Sequence, residues 1–211
     1  KKMIPLESVM SKAWNKKIFE RIHKYVDIAS KELAEERGPC PDAADYGINE
    51  RFSNKTAIAP TASISIICGG TSPGVEPIAA NSYTHKTLSG SFNVRNRHLK
   101  QLLAKYDKDN DEVWSSITTN QGSVSHLDFL SQNEKDVFKT AFELDQKWII
   151  ELSADRTPHI SQAQSINIFL PADVHKKELH QIHFQAWKKG LKSLYYCRSK
   201  SIQRAENVND A

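Results

Sequence analysis

The last third of the sequence alternates between helical and extended patterns, and this alternation is the strongest constraint on the fold. A capping-box match at Ser131 and Glu134 predicts the start of a helix. The predicted elements are, in order, a helix over 131–154, a strand over 165–170, a helix over 173–189 and a strand over 191–196. Helices that connect successive strands are typical of α/β proteins with parallel strands. The sequence therefore predicts an α/β fold.

The first two thirds of the chain contain further predicted helices. Residues 11–37 form an amphipathic pattern whose apolar positions recur at spacings of three and four: Trp14, Ile18, Ile22, Tyr25, Val26, Ala29 and Leu33. Gly38-Pro39 predicts the end of this helix. We also expect a short buried strand over 57–59, a short helix after Pro60, a strand and loop over 81–96, and two short helices over 96–106 and 110–119.

Composition narrows the class of protein. The 211 residues are 39% hydrophobic and 26% charged, as is usual for a soluble globular protein, and the formal net charge is +4. No apolar run is long enough for a transmembrane helix or a secretory signal. The three cysteines, Cys40, Cys68 and Cys197, are far apart and odd in number, which favours reduced thiols over a disulfide framework. We therefore expect a cytoplasmic protein without membrane association.

The segment from Pro60 to Ser65, with sequence PTASIS, combines small residues with hydroxyls and carries no charge. A turn into a helix N-terminus exposes unpaired N–H groups, and small residues let an anion approach them. Thr61 and Ser63 add hydroxyl donors. This composition is compatible with a phosphate site. The alternative, an ordinary cap on a buried helix, is the commoner role of such residues.

The stretch from Ala59 to Pro77 resembles the phosphate-binding segment of ribonucleotide reductase large subunits. That family pairs a Pro-Thr-Ala-Ser loop with a Gly-[Ile/Val]-Glu-Pro motif, here Gly74-Val75-Glu76-Pro77. Far downstream, Leu194-Tyr195-Tyr196 resembles the tyrosine pair of the class I enzymes. Two such motifs in the right order are more specific than either alone, and the resemblance covers nearly the whole chain.

The resemblance implies roles for individual residues. Substrate diphosphate would bind at Thr61, Ala62, Ser63 and Ile64, although the position of Ile64 is often small and polar in the family. Tyr195 and Tyr196 would form a radical relay, with Tyr195 nearer the active-site thiol and Tyr196 nearer the small subunit. The alternative for these two tyrosines is core packing on a strand, which is the usual role of such a pair.

The resemblance also implies that the chain is incomplete as a reductase. The family's active-site pattern, Asn-x-Cys-x-Glu, is absent, and no catalytic role falls on any of the three cysteines. Residues 1–204 would form the closing, C-terminal part of a ten-stranded α/β barrel that is incomplete in this chain, and 205–211 a polar tail. The implied partners are the N-terminal portion of the large subunit, a metal-containing small subunit that supplies the radical, a ribonucleoside diphosphate, and thioredoxin or glutaredoxin as reductant. No cofactor is expected in this chain itself.

Other interpretations remain open at this stage. The cobalamin-dependent reductases share the phosphate-loop pattern, but an enzyme that generates its radical on a bound cofactor needs no tyrosine relay from a partner. A non-catalytic nucleic-acid-binding module is supported only by a pI of about 8.9. A metal could bind at His175, His180 and His183, although exposed helix histidines without a metal are commoner. Phosphates could bind at Arg95, Arg97, His98 and Lys100, although a solvated basic face is the commoner role of such residues.

Overall fold

The computed structural model describes residues 3–88 and 90–199. Its helices are α1 (Val9–Arg37), α2 (Pro41–Asp45), α3 (Ala62–Ile67), α4 (Arg97–Lys105), α5 (Asp111–Thr119), α6 (Gln132–Val137), α7 (Gln146–Arg156) and α8 (Lys176–Lys188), with a 3-10 turn at Thr157–His159 after α7. Its strands are β1 (Ser82–Thr87), β2 (Gly90–Arg95), β3 (Ile168–Leu170) and β4 (Cys197–Ser199). None of these helices has the length and apolarity needed to cross a membrane. The predicted boundary at residue 204 and the tail over 205–211 lie outside the described residues.

The long first helix has the predicted extent. The Ser8 side chain accepts a hydrogen bond from the Ser11 N–H at its start, and Gly38 ends it with a positive φ of 79°. The apolar stripe of α1 is only partly covered, since Ile18, Ile22 and Tyr25 are each more than 40% exposed. On the side that faces α7, α1 makes its contacts through polar side chains.

The contact between α1 and α7 is polar. The Asn15 amide donates to the Leu152 carbonyl at 2.8 Å, and the Lys12 ammonium lies 3.2 Å from a Glu151 carboxylate oxygen. One bond to a main-chain carbonyl and one ion pair therefore help to hold α1 on α7. Ile18, Ile22 and Tyr25 of the stripe stay exposed on the described chain.

The helix predicted over 131–154 begins as expected but is two helices. The capping box between Ser131 and Glu134 is present, and α6 then ends at Val137. Both the N–H and the hydroxyl of Thr140 donate to the Glu143 carboxylate at 2.8 Å, and the Asp145 side chain accepts from the N–H of Lys147 at the start of α7. Such side-chain bonds to the backbone compete with helix formation, so the continuous helix was a wrong prediction.

Parallel pairing near the C-terminus supports the predicted α/β class. Strand β3 pairs with β4 in parallel, with Ile168 opposite Cys197, and an isolated parallel bridge joins Ile58 to Gln164. The segment over 162–170, called the central segment below, is therefore bonded to residue 58 on one side and to β4 on the other. The strand predicted over 191–196 is wrong in position, because the paired residues are Cys197–Ser199.

The described residues form mixed α/β structure but no closed barrel. Their sheets are two two-stranded ones, the antiparallel β1–β2 hairpin and the parallel β3–β4 pair. The described part of the chain therefore does not confirm the predicted ten-stranded barrel or its incomplete closing part. The short strand expected over 57–59 is reduced to the single bridge at Ile58.

The hairpin is anchored at its base by one buried amide. The Asn81 side chain, 1% exposed, donates to the carbonyls of Gly122 and Phe138 and accepts from the Asn96 amide, all at 2.8–2.9 Å. A buried amide with every bond satisfied fixes the orientation of the strands that carry it.

Apolar side chains form two buried clusters. The first unites α4 and α5 with the segment after them through Leu99, Leu103, Trp114, Ile117, Val124, Leu127, Leu130 and Phe138. The second packs α7 and α8 against the central segment through Leu144, Ile149, Ile150, Ile166, Ile168, Leu170, Ile182 and Ala186. The second cluster holds the central segment in place, and both predicted functional motifs flank that segment.

Candidate active site

The predicted turn into a helix N-terminus is present at α3. Thr61 is the N-cap residue, with φ −126° and ψ 37°, and the helix begins at Ala62. The Thr61 N–H and hydroxyl both donate to the Pro73 carbonyl, at 3.0 and 2.9 Å. The Thr61 hydroxyl therefore fastens the start of the helix to the loop that follows it, and does not point outward as a free donor.

Three consecutive backbone N–H groups at the start of α3 have no hydrogen-bond acceptor among the described residues. The N–H groups of Ala62, Ser63 and Ile64 have no acceptor among the described residues, as expected for the first turn of a helix. All three residues are exposed, and Ile64 is 58% exposed despite its apolar side chain. The start of α3 therefore exposes partial positive charge on its unpaired N–H groups.

The two other hydroxyls of the motif differ from each other. Ser65 is buried and donates to the Ala62 carbonyl at 2.7 Å, whereas no hydrogen bond of the Ser63 hydroxyl is seen within the described chain. Of the residues predicted to bind phosphate, Ser63 alone combines an exposed N–H with an uncommitted hydroxyl. A cavity of about 640 Å³ lies elsewhere, beyond the end of β3, and none of residues 61–64 lines it.

The Gly-Val-Glu-Pro motif ties the loop after α3 to the central segment. Glu76 is 4% exposed, and its carboxylate accepts from the Asn167 N–H at 2.5 Å and from the Asn167 amide at 3.3 Å. A Cβ at Gly74 would lie 2.4 Å from a Glu76 carboxylate oxygen, so a larger residue there would have to displace this carboxylate. The motif thus has a structural role that spacing alone could not reveal.

A buried arginine supports the other side of the central segment. Arg156 is 5% exposed and donates to the Gln164 amide oxygen at 2.6 Å and to the Ser153 hydroxyl at 2.7 Å. Burial lowers the pKa of Arg156 to about 10, and the charges of Glu76 and Asp155 partly oppose this shift. The arginine remains charged at neutral pH and its charge is shared among neutral acceptors.

The two predicted relay tyrosines are in contact. The ring centroids of Tyr195 and Tyr196 are 4.1 Å apart, with the rings tilted by 56°. Successive side chains of a regular strand point to opposite faces, so this contact depends on the irregular backbone that precedes β4. The rings are 47% and 52% exposed, which is not the burial expected from the core-packing alternative.

Two neighbours influence the tyrosines electrostatically. The hydrogen bond with Tyr196 raises the pKa of Tyr195 above its ordinary value, and the charge of Arg198 acts in the opposite direction. The guanidinium carbon of Arg198 lies 5.3 Å from the centroid of the Tyr196 ring. Sequence reasoning missed Arg198, although its spacing of two residues from Tyr196 on an extended chain was a usable signal.

The two motifs lie on opposite edges of the central segment. The Ile58 carbonyl accepts from the Ser165 N–H at 2.8 Å, and the Ile166 carbonyl accepts from the Tyr195 N–H at the same distance. Adjacent residues of one segment thus hold the chain that leads into α3 and the chain that carries the tyrosines. Two strand spacings amount to about 10 Å, so the motifs belong to one region of the molecule.

The histidines considered as metal ligands have other contacts. The His175 ring caps α8 by accepting from the Lys177 N–H, His183 bonds the Leu179 carbonyl, and His180 stacks on Phe184. Over the described ranges, no group of three His, Cys, Asp or Glu side chains is arranged to hold a metal ion.

The basic residues considered as phosphate ligands are dispersed. Arg95 pairs with the Asp111 carboxylate at 2.8 Å and lies over the Trp114 ring. Arg97 lies beside Gly69, where a Cβ would be 2.9 Å from its guanidinium. These contacts bring neither side chain to the N-terminus of α3.

Comparison with known proteins identifies the family. The model of the ribonucleotide reductase barrel domain matches residues 42–197. The chain belongs to this family. The large subunits of ribonucleoside-diphosphate reductase from invertebrate iridescent viruses 6 and 3 are 48% and 46% identical to it over 99% of the chain. These matches agree with the resemblance carried by the two motifs.

A solved ribonucleotide reductase structure shares the fold. The class Id alpha subunit from Actinobacillus ureae superimposes with a TM-score of 0.86 at 36% identity, over 99% of this chain and 37% of that one. The chain also spans only 22% and 33% of the length of the two viral relatives. It therefore corresponds to a minor part of each of these reductase subunits.

Proposed function

We propose that this chain is the part of a ribonucleoside-diphosphate reductase large subunit that holds the substrate diphosphate and relays a radical to the active site. The observation that carries the proposal is the central segment, whose adjacent residues Ser165 and Ile166 bond the chain entering α3 and the chain bearing Tyr195. A reductase must bring its substrate and its radical to one place, and this arrangement supplies a site for each at neighbouring positions.

Substrate diphosphate binds at the N-terminus of α3 in this proposal. The N–H groups of Ala62, Ser63 and Ile64 and the Ser63 hydroxyl donate to phosphate oxygens, and the helix dipole adds to their attraction. Thr61 acts indirectly, because its hydroxyl is bonded to Pro73 and fixes the turn. Ile64 contributes through its backbone alone, which requires no polar side chain there.

The tyrosine pair carries the radical in this proposal. Each tyrosine passes on the radical by regaining one electron and one proton, which its neighbour's phenol loses. The ring separation of 4.1 Å supports direct transfer between them. The same contact favours the relay over the cobalamin-dependent alternative, in which no radical arrives from a partner.

In this proposal, the complete enzyme also requires parts that lie outside this chain. The N-terminal portion of the large subunit supplies the cysteine that becomes a thiyl radical, a metal-containing small subunit supplies the initiating radical, and thioredoxin or glutaredoxin restores the reduced thiols. The product is a deoxyribonucleoside diphosphate for DNA synthesis. We retain residues 1–204 as part of the barrel domain and 205–211 as a tail.

The test compares single variants in the assembled reductase. Tyr195→Phe and Tyr196→Phe should each abolish turnover while nucleotide affinity and the thermal midpoint stay near those of the parent, because only an oxidisable hydroxyl is lost. Ser63→Asp should weaken nucleotide binding by at least about tenfold without loss of stability, since a carboxylate suits a helix N-terminus but repels phosphate. Ser63→Ala is its matched control and should have a much smaller effect.

Each half of the proposal has its own contrary outcome. Near-normal turnover in both Tyr→Phe variants would contradict the relay and return the cobalamin-dependent interpretation. Unchanged nucleotide affinity in Ser63→Asp would contradict the phosphate site. Because the two readouts are independent, one half can fail while the other stands.

A further inference from the structure

We propose that Arg198 is a positioning residue for the radical relay: its guanidinium holds the Tyr196 ring against Tyr195 and makes Tyr195 the preferred site of the radical. This inference rests on the proposed function, since it concerns how the tyrosine pair works. It adds direction to the relay, which two identical side chains in contact would otherwise lack.

The geometry of Arg198 is set by the strand that carries it. Arg198 is the middle residue of β4. Its register partner is Phe169 of β3, which is 8% exposed. Tyr196 lies two residues before Arg198, in the backbone that leads directly into this strand. Their contact, 5.3 Å from guanidinium carbon to ring centroid, is within the range of a cation–π interaction.

A cation over an aromatic ring distinguishes the reduced ring from the oxidised one. The attraction depends on the electron density of the ring face, and oxidation of Tyr196 removes part of that density. Arg198 therefore stabilises the Tyr196 phenol relative to its radical. The Tyr195 ring has no such cation on its face among the described residues.

Arg198 favours transfer of the radical from Tyr196 to Tyr195, which is the direction toward the active site. The Tyr196 radical takes one electron and the phenolic hydrogen's proton from Tyr195, so that the O–H bond of Tyr195 breaks and that of Tyr196 forms. The initial oxidant is the radical of the small subunit named in the proposed function. The hydrogen bond with Tyr196 raises the pKa of Tyr195, and the charge of Arg198 opposes part of this rise.

The test uses Arg198→Met, Arg198→Lys and Arg21→Met in the assembled reductase. Arg21 lies over the Tyr25 ring of α1 at 5.5 Å, so its replacement removes an equivalent contact away from the relay. Loss of the contact at Arg198 should lower kcat by about threefold to fivefold with KM within about twofold, as the energy of an exposed cation–π pair implies. Arg198→Lys should recover at least half of the loss, and Arg21→Met should leave kcat unchanged.

A spectroscopic readout separates positioning from general stability. With 3-aminotyrosine in place of Tyr196, Arg198→Met should increase the radical trapped at that position, measured by electron paramagnetic resonance. Unchanged kcat and unchanged trapping in Arg198→Met would overturn the inference. An equal loss of kcat in Arg21→Met would also overturn it.

Failure of the inference is distinguishable from failure of the proposed function. If Tyr196→Phe abolishes turnover while Arg198→Met is normal, the relay stands and the role of Arg198 falls. If both Tyr→Phe variants turn over normally, the relay falls and the inference falls with it.

Discussion

The backbone N–H of Asn167 donates to the buried carboxylate of Glu76 at 2.5 Å, across 91 residues of sequence. This bond joins the loop that follows α3 to the central segment. It therefore fixes the predicted phosphate site relative to the segment that pairs with the tyrosines.

Glu76→Ala should lower the free energy of unfolding by about 2 to 3 kcal/mol, because the N–H of Asn167 loses its charged acceptor. Denaturant unfolding of the variant measures the change. Glu35→Ala, on the exposed surface of α1, is the control and should change the unfolding free energy by less than about 0.5 kcal/mol. A Glu76→Ala protein as stable as the control would show that the tie contributes nothing.

Thr61→Val should lower the free energy of unfolding by about 1 kcal/mol and change nucleotide affinity little. The hydroxyl is already bonded to the Pro73 carbonyl, and valine preserves its shape and its N–H. Isothermal titration with a ribonucleoside diphosphate, beside thermal unfolding, separates the two effects. The assignment fails if Thr61→Val weakens nucleotide binding more than Ser63→Ala does.

Gly122→Ala should be far more destabilising than Gly190→Ala. Both glycines have positive φ, 81° and 78°, so both variants share the strain of a left-handed residue. A Cβ at Gly122 would additionally lie 2.4 Å from the Ala80 Cβ, whereas nothing lies within 4 Å at Gly190. The difference between the two variants, measured by denaturant unfolding, should be roughly 1 to 3 kcal/mol, the usual cost of overpacking.

Glu134→Gln should reduce stability at neutral pH but not in acid. The Ser131 hydroxyl bond lowers the pKa of Glu134, so this carboxylate stabilises the fold above its unfolded pKa of about 4.3 and the effect disappears as the pH falls through the lower folded value. Thermal midpoints of parent and variant should therefore converge below about pH 4. A constant difference across the pH range would contradict the role of the charge.

Local patterns in the sequence predicted the structure where the determinants are local. The extents of α1, α4 and α5 follow from caps and periodicity within one element, and these predictions are confirmed. The break between α6 and α7 was missed because it depends on turn bonds of Thr140 and Glu143, which act only once the chain leaves the helix.

The candidate site was predicted by motif, and its internal arrangement was not. Composition indicated the turn at Thr61, yet only the fold shows that its hydroxyl is bonded to Pro73. The adjacency of Tyr195 and Tyr196 in sequence does not imply ring contact, since a regular strand would separate the rings. The contact of Glu76 depends on Asn167, 91 positions away in the sequence, and no local pattern specifies that pairing.

The position of the central segment has a consequence for folding order. Its bonds to the chain before α3 join residues such as Thr56 and Gln162, which lie far apart in the sequence. Such pairings close long loops and gain their enthalpy only after the entropy of closure has been lost, which slows them relative to the formation of α1, α4 and α5. We therefore expect the region that joins the two motifs to be among the last parts of the chain to become ordered, so that amide hydrogens there should gain protection later than those of the helices.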